Sequence, residues 1–394
     1  MSVIRYIVLR ALAVLLLAGL AFPGEASAQR RGTSVLDDPD VQREAQRGLD
    51  LLYDMQFEQA ERIFEQIDRE HPKHPIGPFL LALNTWWEIL IDLSDTSHDD
   101  EFFGEMKEVI KRSDRLLKRD RNNFDAAFFK GAALGFRGRL RSNRGDWFKA
   151  AMDGKNAMKY VLRVAEKDPK NDDYVFGKGI YDYYADVIPD RHPFVKPVMI
   201  FFPNGDRERG LKLLQRTAEK GRFIQTEAAY FLAQIYYIYE RDLVKTSEYI
   251  DWLRREHPNN SFFHTLEGRV LARRGRWEEA REVFGEVIAR YQKKQTGYNA
   301  AAAEQALYYT ARADMVYGNY QPALDHLRQL EALAARTNQE TYFKVLGRLR
   351  QGMAYDALGQ RQLAIAKYRE VLSMKDWSGA HDRAKQYVER PFQG

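Results

Sequence analysis

From Val41 onward, apolar residues recur at the three- and four-residue intervals of amphipathic helices. Gly48, Leu51, Leu52 and Met55 mark one apolar face, and Ala60, Ile63, Phe64 and Ile67 a second. Pro72 follows, where it ends the second helix and starts a turn; Asp168-Pro169 and His257-Pro258 repeat that ending. A long apolar helix runs from about Ile76 through Trp86, Trp87 and Leu93. The polar stretch Ser94 to Asp100 then leads into a helix from Glu101 to Leu117. The pattern therefore predicts an all-α chain of helix–turn–helix units, with no alternation of period two to suggest strands.

A spacing recurs within this pattern. A small residue is followed twelve positions later by Ala and four after that by an aromatic or Leu: Gly48, Ala60, Phe64; Gly268, Ala280, Phe284; Ala311, Ala323, Leu327; Gly352, Ala364, Tyr368. This resembles the tetratricopeptide repeat, a helical hairpin of ~34 residues stacked into a solenoid. The small residues suit the crossing of the two helices, and the aromatic fills the space beside it. The resemblance implies a right-handed superhelical solenoid, here of about eight helical hairpins with inserts in the middle units. The resemblance covers residues 41 to about 372, with Trp377 to Tyr387 as a closing helix.

The middle units depart from the spacing. Gly131 and Ala157, taken as the small residue and the Ala of the third unit, lie 26 apart, which predicts an insert of about 14 turn-rich residues around Arg137 to Trp147. In the fourth unit the segment Asp186 to Asp206 holds Pro189, Pro193, Pro197 and Pro203 and is not expected to be one helix. It carries the apolar run Phe194, Val198 to Ile200, Phe201 and Phe202, either packed inward or exposed as a contact surface. The expected organisation is a signal peptide over 1–28, a linker over 29–40, an irregular lobe over 41–222 and a regular lobe over 223–394.

The beginning of the chain adds a location. Arg5 and Arg10 precede the apolar run Ala11 to Phe22, and Ala26-Ser27-Ala28 gives a small-x-small cleavage site, so cleavage after Ala28 and a periplasmic destination are expected; the alternative is an uncleaved anchor. Cysteine is absent, which removes disulfides, thiolate catalysis and Cys-based metal sites. Beyond the first residues no apolar stretch reaches the ~20 residues of a membrane span. Lys and Arg number 61 against 56 Asp and Glu, a net charge of +5, too near balance to imply a nucleic-acid partner.

Catalytic motifs are not legible. Gly154-Lys155 lacks the hydroxyl residue of a phosphate loop; His71 and His74 read as turn residues, and His98 to Glu101 as the acidic start of a helix. No metal and no cofactor is expected. The chain reads as a non-catalytic scaffold rather than an enzyme, binding a protein or peptide segment. The alternative is a structural part of an outer-membrane protein or polysaccharide assembly complex.

The resemblance also implies where binding takes place. In tetratricopeptide solenoids the first helix of each unit lines the concave groove, and residues three before, one after and five after the small residue face it. Those positions give an aromatic zone, Phe128 and Phe136, Phe176 and Tyr184, Tyr230 with Tyr237, and a cationic zone, Arg269 and Arg273, Tyr308 and Arg312, with Arg350 nearby. Arg binds carboxylate or phosphate in a fork and aromatic faces stack on flat or apolar groups, so the set suits an extended peptide ending in carboxylate, or an anionic glycan or lipid headgroup. The opposing reading makes the aromatics helix packing and the arginines solvated or ion-paired. Phe194, Phe201 and Phe202 are the contact candidates of the insert.

Overall fold

A computed structural model describes residues 34–191, 193, 196, 203–335 and 340–394. The expected signal segment and the insert residues Phe194, Phe201 and Phe202 lie outside the described residues. Two compact units divide between Tyr239 and Glu240, inside the fifth predicted repeat.

The first unit holds α1 (Pro39–Tyr53), α2 (Phe57–Glu70), α3 (Ile76–Ile91), α4 (Asp99–Arg119), α5 (Phe124–Asn143), α6 (Trp147–Lys167), α7 (Phe176–Arg191), α8 (Arg207–Lys220) and α9 (Gln225–Ile235). The second holds α10 (Leu243–Glu256), α11 (Ser261–Arg273), α12 (Trp277–Gln292), α13 (Ala300–Val316), α14 (Tyr320–Ala334), α15 (Tyr342–Ala357), α16 (Arg361–Ser373) and α17 (Ala380–Glu389). The described residues contain no strand. Within each unit helices pack on their sequence neighbours, and first helices of successive hairpins also touch: α1 on α3 and α3 on α5, then α11 on α13, α13 on α15 and α15 on α17. Each unit is an all-α stack of helical hairpins, and the second ends in a closing helix.

The crossings explain the recurring spacing. A Cβ on Gly268 would lie 2.6 Å from the ring of Phe284, and Gly48 and Gly352 face Phe64 and Tyr368 in the same way. Seven residues after each small residue the backbone enters the left-handed region: Met55, Gly275, Gly318 and Gly359 have φ of 64°, 78°, 74° and 73°. That residue turns the chain from first to second helix, and Gly adopts it without steric cost.

The same seven-residue rule corrects the third hairpin. Gly145, with φ of 82°, lies seven after Gly138, not Gly131. A Cβ on Gly138 would lie 3.2 Å from both the Ala150 carbonyl and Asp153 Cβ. The repeat here is therefore Gly138, Ala150 and Gly154, with glycine where the other hairpins carry a bulky residue. No turn-rich insert exists: Arg137 to Asn143 complete α5, and the unit's extra length is helix. The fifth repeat differs for another reason. A π-turn over Tyr236–Glu240 adds one residue, so the left-handed position, Arg241, falls eight after Ala233, and Ile250 falls seventeen after it.

Two further segments differ from expectation. Within the expected linker, Ser34 Oγ donates to Asp125 at 2.6 Å, and α1 already starts at Pro39 with Asp38 as its cap and proline at its first position. Helix α7 continues through Pro189 to Arg191, because a proline in the last turn forfeits only one backbone hydrogen bond.

Candidate functional site

In the second unit α13 and α15 lie side by side, and three of the sequence-derived groove residues meet between them. Tyr308 and Arg312, one turn apart on α13, share a face; Arg350 reaches them from α15. Arg350 Nε donates to the Tyr308 hydroxyl at 3.2 Å, with its guanidinium 5.4 Å from that ring. The Arg312 guanidinium sits 4.8 Å from the Trp277 ring, 5.4 Å from Tyr309 and 5.8 Å from Tyr308, so aromatic faces carry its charge. Tyr342 and Phe343 close the other side of Tyr308, at 6.4 and 5.4 Å between rings.

The electrostatics are unusual for this chain. Several of the unit's half-buried arginines are ion-paired: Arg254 with Glu267, Arg348 with Glu331 and Glu370, Arg361 with Asp356. Arg312 and Arg350 have no carboxylate partner among the described residues, and Arg312 Nε is enclosed without a hydrogen-bond acceptor. The consequence appears on Tyr308, which is 2% exposed. Burial alone would raise its pKa. Arg350 and Arg312, the hydrogen bond from Arg350, and Arg383 on α17 outweigh burial and draw it below the usual tyrosine value. The face thus combines fixed donors, an excess of positive charge and flat aromatic walls.

The other candidates are placed differently. Arg269 lies half-buried and Arg273 exposed on α11, the neighbouring first helix. Tyr237 is half-buried in the π-turn. Tyr230, 1% exposed on α9, accepts from Arg139 at 3.3 Å and its ring packs on Trp87 and Phe231. The aromatic zone is knitted by ring contacts between helices: Phe136 on Phe79 and Trp86, Phe128 on Tyr174, Phe176 on Phe231, Tyr184 on Tyr239. His74 holds a turn, accepting from the Ile76 N–H at 3.2 Å with its far nitrogen 3.5 Å from Asp125. Asp99 takes the guanidinium of Arg144 at 2.6 Å. Among the described residues no three His, Asp or Glu side chains converge as a metal site, and no helix is long and apolar enough to cross a membrane.

Reading the sequence missed two residues of the first unit. Arg137 and Arg141 clamp the buried carboxylate of Asp153, each at 2.6 Å. Arg139, between them in sequence, turns away and stacks over Trp86, Tyr230 and Phe231 at 4.9, 5.9 and 5.1 Å. Glu227, 3% exposed, accepts from Trp87 Nε1 at 2.9 Å. Burial raises the Glu227 pKa, against the opposing pull of Arg139 and the Trp87 hydrogen bond. The only sequence signal was Arg139 itself, eight residues after Gly131 in a segment taken for a turn.

Comparison with known proteins bears on the architecture. A tetratricopeptide repeat family profile matches residues 347–374. No curated protein sequence matches the chain. Among solved structures, the APC/C hetero-tetramer Cut9–Hcn1 is similar with a TM-score of 0.55 and 14% identity over 90% of this chain; the chain spans only 57% of the length of that one. Yeast Tom70 scores 0.42 at 10% identity, covering 90% of this chain and 89% of its own. A tetratricopeptide repeat protein from Parabacteroides merdae scores 0.40 at 12% identity, covering 77% and 98%. Residues 347–374 are thus a tetratricopeptide repeat, and the helical hairpins of both units, with crossings set by small residues, have the fold of a tetratricopeptide-repeat array.

Proposed function

We propose that this is a non-catalytic scaffold of the bacterial periplasm that captures an acidic protein segment on the first-helix face of its second unit. The observation that carries the reading is the pair Arg312 and Arg350: two half-buried guanidiniums on adjacent first helices with no carboxylate among the described residues to neutralise them. An incoming carboxylate supplies the missing charge, and Trp277, Tyr309 and Tyr342 give its neighbouring groups flat surfaces to lie on. Arg273, exposed on α11, extends the cationic strip along the expected path of a bound chain. Tetratricopeptide architecture supports a binding role, although shared architecture does not choose a partner. The periplasmic assignment rests on the charged start, the short apolar run and Ala26-Ser27-Ala28.

Tyr308 is too enclosed to report on a partner, so the test uses Arg273. A photo-crosslinking residue at position 273 of the full chain, expressed in cells, should give a discrete adduct that Arg312→Glu abolishes while helix content is unchanged. An adduct that survives Arg312→Glu, or none at all, removes this reading.

A further inference from the structure

We infer, on the reading that this face captures an acidic segment, that the closing helix is part of the site. Arg383 of α17 is a third arm beside Arg312 and Arg350, and the three select a segment whose acidic residues are adjacent. A closing helix covers the apolar flank of the last repeat and gives its other side to water. Ala380 and Ala384 do the covering: both are fully buried in the core that also holds Tyr308, Leu346 and Leu349. Arg383 precedes Ala384 on the same helix and stays half-buried. It donates to the carbonyls of Ser378 and Gly379 at its own helix start, at 3.3 and 3.4 Å, and no carboxylate among the described residues pairs with it. That helix start is tied to the binding face through Trp377, whose ring lies 6.2 Å from Tyr342, itself 6.4 Å from Tyr308. The charge of Arg383 is felt there: against the burial that raises the Tyr308 pKa, it acts with Arg350 and Arg312 to lower it. All three arginines keep solvent-accessible surface.

Charge and spacing set the occupant. Three cations on successive helices, α13, α15 and α17, share one tyrosine hydroxyl; a single carboxylate would leave two of them uncompensated. The Arg312 and Arg350 guanidiniums lie 5.8 and 5.4 Å from the same Tyr308 ring, so they cannot stand far apart. In an extended chain, acidic residues four positions apart are separated by roughly 13 Å, wider than that pair. Adjacent acidic residues fall within about 7 Å of one another and repel in solution; the three arginines remove that repulsion on binding.

The test uses two labelled Ser/Gly peptides of equal length, each with three Glu: at adjacent positions in one, at every fourth position in the other. In fluorescence anisotropy with the full chain, the adjacent-Glu peptide should bind about tenfold more tightly, one further charge-assisted contact. Arg383→Gln should remove that preference, whereas Arg383→Lys, which keeps the charge, should retain most of it. Equal affinity of the wild type for the two peptides, or a preference that survives Arg383→Gln, overturns the role of the closing helix. Equal loss in Arg383→Lys and Arg383→Gln overturns it too, since residue 383 would then act through packing rather than charge. The Arg312→Gln, Arg350→Gln double variant separates these results from failure of capture itself. If it weakens both peptides while Arg383→Gln changes neither, capture stands and only the third arm falls. If the wild type binds neither peptide, or the double variant binds both undiminished, capture and third arm fall together.

Discussion

The helix-crossing problem is solved in two ways, and the third hairpin of the first unit departs from the solution that its own first hairpin, at Gly48 and Phe64, shares with the second unit. In the second, Gly268 and Gly352 each receive an aromatic ring from the following helix, so shape sets the hairpin. In the third hairpin of the first unit, Gly138 faces Ala150 and Gly154, two small surfaces in close contact. The hairpin's specificity comes instead from Arg137 and Arg141 closing on Asp153. A glycine–aromatic crossing leaves a pattern in the sequence that a small–small crossing does not.

The largest effects should separate these two solutions. Gly268→Leu drives side chain into Phe284, which is fully buried, and should cost about 3 kcal/mol in denaturant unfolding. An unchanged midpoint would mean that ring can yield and the crossing is not set by shape. Asp153→Ala leaves two arginines facing an empty site and should cost about 3 kcal/mol as well, although it removes no apolar contact of note. Should its loss be within a few tenths, the clamp is incidental and the small surfaces alone hold α5 on α6.

Titration offers a contrast of sign. Glu105 on α4 is desolvated and lies near Glu101, Glu61 and Glu88. Against a hydrogen bond from Thr85, these push its pKa up to about 8. The fold thus favours the protonated Glu105, whose contribution to stability is fully present below about pH 4.5 and is lost as pH rises towards 8. His264 in the second unit is desolvated and lies near Arg254 and Arg290, with Tyr298 and Glu286 also facing it, and its pKa falls to about 3. Its contribution is complete above about pH 6.5 and lost as pH falls towards 3. Glu105→Gln should therefore flatten the alkaline side of the stability profile and His264→Gln the acid side. Either variant tracking the wild type across its window would refute the assignment for that residue.

The smallest effect lies within α5. A Cβ at Gly135 meets nothing within 4 Å, whereas one at Gly138 meets backbone at 3.2 Å. Gly135→Ala should stabilise by about 0.5–1 kcal/mol through helix propensity, and Gly138→Ala should destabilise. Reversed signs would return the register to Gly131.

Much of this architecture was legible from spacing alone. The hairpins, the closing helix and the meeting of Tyr308 with Arg312 follow from periodicity and the small residues. The third hairpin was misplaced because Gly131 and Gly138 are equally small. The deciding feature, a left-handed residue seven positions on, is a backbone property that Gly145 only hints at. The π-turn at Tyr236–Glu240 is silent in sequence for the same reason. Arg139 and Glu227 were missed because an Arg in a basic run and a Glu on a helix read as solvated; only burial and unpaired atoms distinguish them. The burial of Tyr308 and the lack of acids beside Arg312 and Arg350 are likewise products of packing.

The central claim is that the Tyr308 face of the second unit carries uncompensated positive charge for an acidic segment. The most direct measurement is fluorescence anisotropy of a labelled Glu-rich hexapeptide with the wild type and with the Arg312→Gln, Arg350→Gln double variant. The account predicts saturable binding, weakened about 100-fold in the double variant, roughly tenfold for each lost charge-assisted contact. Equal affinity of the two proteins would contradict it.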